Sequence, residues 1–269
     1  MSKIPTGLLL MLILASCEHE RTTTVNNKVE SITSLDNEHF IALTDSLHGL
    51  WISDSYLTNI ETNKSIFASR KYEYIIRGFD LDKLTLQTDT AYLVGFTDHE
   101  GGISSPIRYD KNKGLFVVDS ARLSEYSSLP DPFELSYLSN NMLKMYFPNT
   151  NTSHRYRKLS ADLETEFRKL LISGNYTAAY DKSNIQFENN GQVTNFQDFK
   201  YYELIADFGE GIEYDAIVFF KDMKGGNWSD GEIYKYEIGE RSLQLQHVLT
   251  NWETMEHVIS DEILLLVRE

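Results

Sequence analysis

The sequence predicts a mainly β protein made of two tandem antiparallel barrel or sandwich domains, each preceded by a short helix. Three observations lead there. Gly49 and Trp51 return as Gly174 and Tyr176, 125 residues later, which is the mark of an internal repeat. Apolar residues alternate with period two through much of both copies, as half-buried strands require. Turn-forming clusters break up the alternation at 112–114, 189–191, 224–226 and 229–231.

The repeat unit begins with a helical stripe. Phe40, Leu43 and Leu47 share one face, Asp36 is placed to cap the start, and Gly49 to end it. In the second copy Leu163, Phe167, Leu170 and Leu171 make the stripe, Ser160 or Asp162 caps it, and Gly174 stops it. A strand is expected after each Gly-x-aromatic, running on through 57 in the first copy. The stretch 92–102 then matches 216–226, with Asp98 against Asp222 and the Gly-Gly pairs aligned. Further strands are expected at 106–110, 114–119 and 153–159, and at 232–238, 242–248 and 264–269. Tyr202, Leu204, Ala206 and Phe208 form the buried side of another.

The first residues point to a destination. Lys3 precedes an apolar run from Leu8 to Ala15, shorter than the roughly 20 residues that span a bilayer. Charge, short apolar core and small residues make a secretory leader. Leu14-Ala15-Ser16-Cys17 resembles the lipobox of bacterial lipoproteins, and Cys17 is the single cysteine of the 269-residue chain. The resemblance implies a leader over 1–16, cut before Cys17, acylation of that thiol by palmitate-type chains, and a membrane anchor in the cell envelope, at the outer membrane. Glu18 and Glu20 resemble the acidic tag that sends some lipoproteins to the cell surface. Residues 18–36 are Thr, Asn and Ser-rich, too polar to offset the entropy of ordering, and read as a flexible tether over 17–36. The two domains are then 37–159 and 160–269.

The charge balance excludes some partners. The chain carries 25 basic and 40 acidic residues. Removing Lys3 with the leader leaves 24 against 40, a net charge of −16. Such a surface repels phosphate backbones and argues against nucleic acid.

A short helix, Gly-x-Trp on the first strand, a meander of strands and an arginine on the last strand resemble the lipocalin-like barrels. That resemblance implies an aromatic ring packed at the closed end under a basic side chain: Gly49 and Trp51 with Arg155 or Arg157, and Gly174 and Tyr176 with Arg268. It also implies a small apolar ligand; a partner protein held between the halves is the other expectation, and no cofactor is expected.

Chemistry-bearing patterns are sparse. Asp98, His99 and Glu100 are consecutive, so on a strand they would point to opposite faces, and a hairpin tip is the expectation. Asp207, Glu210, Glu213 and Asp215 lie around two glycines without the order of a calcium loop, and read as an acidic turn. No Gly-x-Ser-x-Gly, His-Glu-x-x-His or phosphate loop occurs. His247 falls on the face of Leu243 and Leu245 as a core or rim histidine. Trp228 and Trp252, in polar surroundings, are candidates for stacking on a sugar or a partner, or for packing under a loop. The expected function is a non-enzymatic, lipid-anchored binding or interaction protein. The alternative is an envelope hydrolase or metal-dependent enzyme using the acidic and histidine loop residues.

Overall fold

The computed structural model describes residues 46–70, 76–81, 91–96, 102–118, 122–123, 127–128, 132–139, 141–208, 212–222 and 227–269. Cys17, Asp98, His99, Glu100, Glu210 and most of the first expected helix lie outside them.

The chain forms two antiparallel β-barrels. The first contains β1 (Gly49–Ser53), β2 (Gly78–Leu81), β3 (Ala91–Phe96), β4 (Gly102–Asp110), β5 (Leu115–Val118), β6 (Arg122–Leu123), β7 (Ser127–Ser128), β8 (Phe133–Ser139), β9 (Met142–Phe147) and β10 (Thr152–Lys158). β6 and β7 are a small hairpin paired onto β4. The other eight form a ring in chain order, because β10 pairs with β1 and β3 pairs with β4. Closure removes the unpaired strand edges that an open sheet would expose. Trp51, Phe79, Leu81, Phe133, Leu143 and Met145 point inward and are buried.

The second barrel contains β11 (Gly174–Ala178), β12 (Asn184–Phe187), β13 (Val193–Thr194), β14 (Tyr201–Leu204), β15 (Ala216–Phe220), β16 (Glu232–Ile238), β17 (Ser242–Asn251) and β18 (Glu256–Arg268). β11 to β13 and β14 to β18 pair in succession, β18 returns to β11, and an isolated bridge between Gln192, just before β13, and Tyr201 of β14 spans the remaining gap. Cross-strand partners confirm one inward face: Tyr202 opposite Phe219, Ile217 opposite Tyr234, Tyr236 opposite Leu245, and Leu243 opposite Leu266.

The first copy departs from the expected plan after β1. The strand stops at Ser53 instead of running on through 57. Ser53 Oγ accepts a bond from Tyr56 N, and α1 (Asp54–Asn63) begins. Lys64 ends it in a left-handed conformation, and α2 (Ile66–Ser69) follows. The second copy has only the turn between Ala178 and Asn184 at this place. The reason for the helix is packing. Tyr56, Leu57 and Ile60 share a face, and that face is buried against Phe167 and Leu171 of α3 (Leu163–Leu171), which precedes β11. The rings of Tyr56 and Phe167 meet edge to face, 6.0 Å apart. Ile52, pointing out of the first barrel, belongs to the same cluster, so α1 and α2 fill the seam between the barrels with one continuous apolar core.

Candidate functional site

Each barrel has a closed end, and both are built alike. Trp51 is fully buried, and its Nε1 donates to Leu47 O at 2.7 Å. Tyr176 is buried too, and its hydroxyl donates to Ile172 O at 2.6 Å. Both bonds run four residues back into the preceding helical turn. Above the Tyr176 ring lies the Arg268 guanidinium, 5.7 Å from the centroid, and it also donates to Ser173 O. Tyr176 and Arg268 are direct cross-strand partners.

In the first barrel the partner of Trp51 is Lys158, not an arginine. Its Nζ lies 5.5 Å from the Trp51 ring and donates to Ser46 O at 2.8 Å. Neither Arg155 nor Arg157 fills this role, because strand alternation turns both outward. Arg155 is exposed, and Arg157 holds Asp54 at 2.6 Å and Glu61 at 3.3 Å on α1. Glycine is required below each plug. Gly49 and Gly174 have φ of +120° and +151°, and a Cβ at either would sit 3.3 Å from Lys158 Cε or 3.2 Å from Arg268 Nε. These groups close the barrels and offer no reactive arrangement.

The interior of the second barrel is packed with rings. Phe187 touches Tyr176, Phe196, Tyr202 and Phe219 at 5.3–6.1 Å between centroids. Tyr202 is held by a bond to Glu188 O at 2.8 Å. Arg168 of α3, only 3% exposed, fastens the turn after β12 through Asn189 O at 2.8 Å and pairs with Glu164. The deep chamber expected for an apolar ligand is therefore taken up by side chains.

Open space remains at the opposite end. A cavity of about 390 Å³ lies over Phe199 and Phe219, with Phe220, Lys221, Asp222, Asp230 and Glu232 around it. Its apolar floor is well fixed, since Phe199 and Phe219 are 5.3 Å apart and Phe219 meets Tyr234 at 5.4 Å. Burial pushes the Tyr234 hydroxyl up to about 12, so it is neutral at physiological pH. His247 is at the rim, 5.1 Å from the Tyr234 ring and 3.8 Å from Glu232. Lys221 Nζ lies 5.7 Å from the Phe199 ring, 2.9 Å from Asp198 and 3.5 Å from Glu232.

The acidic stretch around 207–215 does not form a cation site among its described members. Asp215 turns into the seam, where Ser65 Oγ, Ile66 N and Phe67 N all donate to its carboxylate, the two backbone bonds at 2.8 and 2.9 Å. It caps α2 from across the chain. Burial raises its carboxyl above the usual range, and outweighs these bonds, which act the other way. Among the described residues no group of three His, Cys, Asp or Glu is placed to hold a metal. Trp228 and Trp252 are half-buried against Val218, Phe220 and Val248 on the outer wall, so much of their surface is spent on packing.

Residue types alone did not single out Lys158 or the mouth, and they placed Asp215 in an acidic turn rather than at the seam. Lys158 was findable by counting back from the end of the last strand in each copy. Asp215 acts on a segment 150 residues away and left no local signal. No family model, curated protein or solved structure matches this chain.

Proposed function

We propose that this is a lipid-anchored, non-enzymatic binding protein of the cell envelope, held at the outer membrane through Cys17, with its ligand surface at the mouth of the second barrel. The cavity of about 390 Å³ over a fixed aromatic floor carries the reading, since ligand sites are concave and mostly apolar with a few polar groups at the edge. The volume suits a small apolar molecule rather than a long lipid. The lipid anchor rests on Leu14-Ala15-Ser16-Cys17 and the acidic residues after it. A lipocalin-like kinship is supported by the two up-and-down barrels and their matching plugs.

One observation favours a second reading, in which the occupant is a partner protein. Leu249, Val258, Ile259, Ile263, Leu265 and Val267 are exposed on a single hairpin, β17–β18, a concentration that marks interaction surfaces. Native mass spectrometry of protein released gently from membranes separates the two. A mass increment of a few hundred daltons supports the small molecule, and a co-purifying chain supports the partner. A bare protein mass together with no binding of small amphiphiles contradicts the mouth reading.

A further inference from the structure

We infer that the mouth of the second barrel selects a small amphiphile with a cationic head, its short apolar body lying over Phe199, beneath which Phe219 is buried, and its head held by the rim carboxylates. This rests on the mouth being a binding site, and adds which chemistry it accepts. The apolar side is larger than the floor. Leu249 lies one residue past the Ile233–Val248 pair, beyond a register irregularity between Gln246 and Val248, and on the face opposite the buried Val248. Val258 is the direct cross-strand partner of Leu249. They are 61% and 62% exposed among the described residues, an apolar pair near the end of the β17–β18 hairpin.

The polar side favours positive charge. The described rim holds Asp198, Asp222, Asp230 and Glu232 against Lys200 and Lys221, four acids to two bases. Both bases are already engaged. Lys200 pairs with Asp222 at 3.0 Å, and Lys221 bridges Asp198 and Glu232. An anionic head would meet the surplus of carboxylate, in a protein whose overall charge is −15. The position of Lys221 shows what the site prefers. Its ammonium stands over a ring face between two carboxylates, which is how aromatic sites hold alkylammonium ligands.

The test compares eight-carbon amphiphiles that differ only in the head, octyltrimethylammonium, 1-octanol and octyl sulfate, by isothermal titration calorimetry below their micelle concentrations. The protein is the full chain carrying Cys17→Ser, which removes the acyl acceptor. Octyltrimethylammonium is expected to bind about tenfold tighter than octyl sulfate, with octanol between them, and to weaken as salt is raised. The double variant Asp230→Asn/Glu232→Gln, whose changed side chains are exposed or rim groups, should reduce the ammonium affinity about tenfold and leave octanol unchanged. Equal binding of all three with no effect of the double variant overturns the charge inference and leaves the mouth as a general apolar site. Tighter binding of the sulfate also overturns it, and makes Lys221 the selecting group. Binding of none of the three removes the mouth reading itself.

Discussion

The seam between the barrels gives the sharpest prediction, at Asp215. Its carboxylate takes hydrogen bonds from Ser65 Oγ, Ile66 N and Phe67 N at the start of a four-residue helix that could not stand alone. Asp215→Ala strips the acceptor from these three donors and from the Tyr236 hydroxyl at 3.5 Å, inside a mostly buried joint, while sparing the cost of a carboxylate burial already disfavours. The net loss is about 2–4 kcal/mol. Asp215→Asn keeps an oxygen for the two backbone donors, and its amide can donate to the Ser65 hydroxyl, so the loss is about 1 kcal/mol or less. Urea unfolding followed by far-UV circular dichroism and tryptophan fluorescence reads the difference. With a slope of about 3 kcal/mol per molar, the alanine variant should unfold about 1 M earlier. The sign of the pH effect follows from the raised carboxyl. A folded-state pKa above the unfolded value means the folded protein holds that proton more tightly, so this group's contribution is full below about pH 4 and is lost as pH rises through the folded pKa. Wild type should therefore lose stability relative to Asp215→Asn across that window. An alanine variant with the wild-type midpoint, or a wild-type-to-asparagine difference that does not change with pH, refutes the seam as described.

Other predictions concern the plugs and the anchor. Trp51→Ala empties the closed end of the first barrel and should cost about 3–5 kcal/mol in the same unfolding assay, whereas Arg155→Ala, on the outer surface, should stay within about 0.5 kcal/mol. Lys158→Arg should be tolerated, because Arg268 fills the matching place over Tyr176, while Lys158→Glu should lower the melting temperature by several degrees. Gly174→Ala forces a Cβ to 3.2 Å from Arg268 at a φ of +151° and should cost about 1–3 kcal/mol by thermal unfolding. Cys17→Ser should abolish incorporation of an alkyne-tagged palmitate and move the protein from the detergent to the aqueous phase on Triton X-114 partition.

The features legible in the sequence were those with a local cause. The repeat, the second helix and the strands at 232–238 and 242–248 follow from periodicity and punctuation; the structure has them, with Asp162 rather than Ser160 as the cap and the latter strand running on to Asn251. The β1–α1 junction was not legible, because Asp54–Asn63 is helical through burial of Tyr56, Leu57 and Ile60 against a helix a hundred residues on. The plug shows a different limit. The resemblance implied a basic side chain over the ring, but choosing arginine by residue type passed over Lys158, which strand register places opposite Trp51. The mouth was the least legible, since it is made of side chains from β15, β16 and the turn at 195–200, none of them distinctive in its own stretch.

The account depends most on which end of which barrel is open to a ligand. Titrating octyltrimethylammonium into isotope-labelled full-length Cys17→Ser protein, and following backbone and methyl chemical shifts, tests this directly. The shifts should concentrate at Phe199, Phe219, Lys221, Glu232, Leu249 and Val258 and leave Trp51, Gly174 and Arg268 still. Shifts centred on either plug, on the seam at Asp215, or spread evenly over the surface would contradict it.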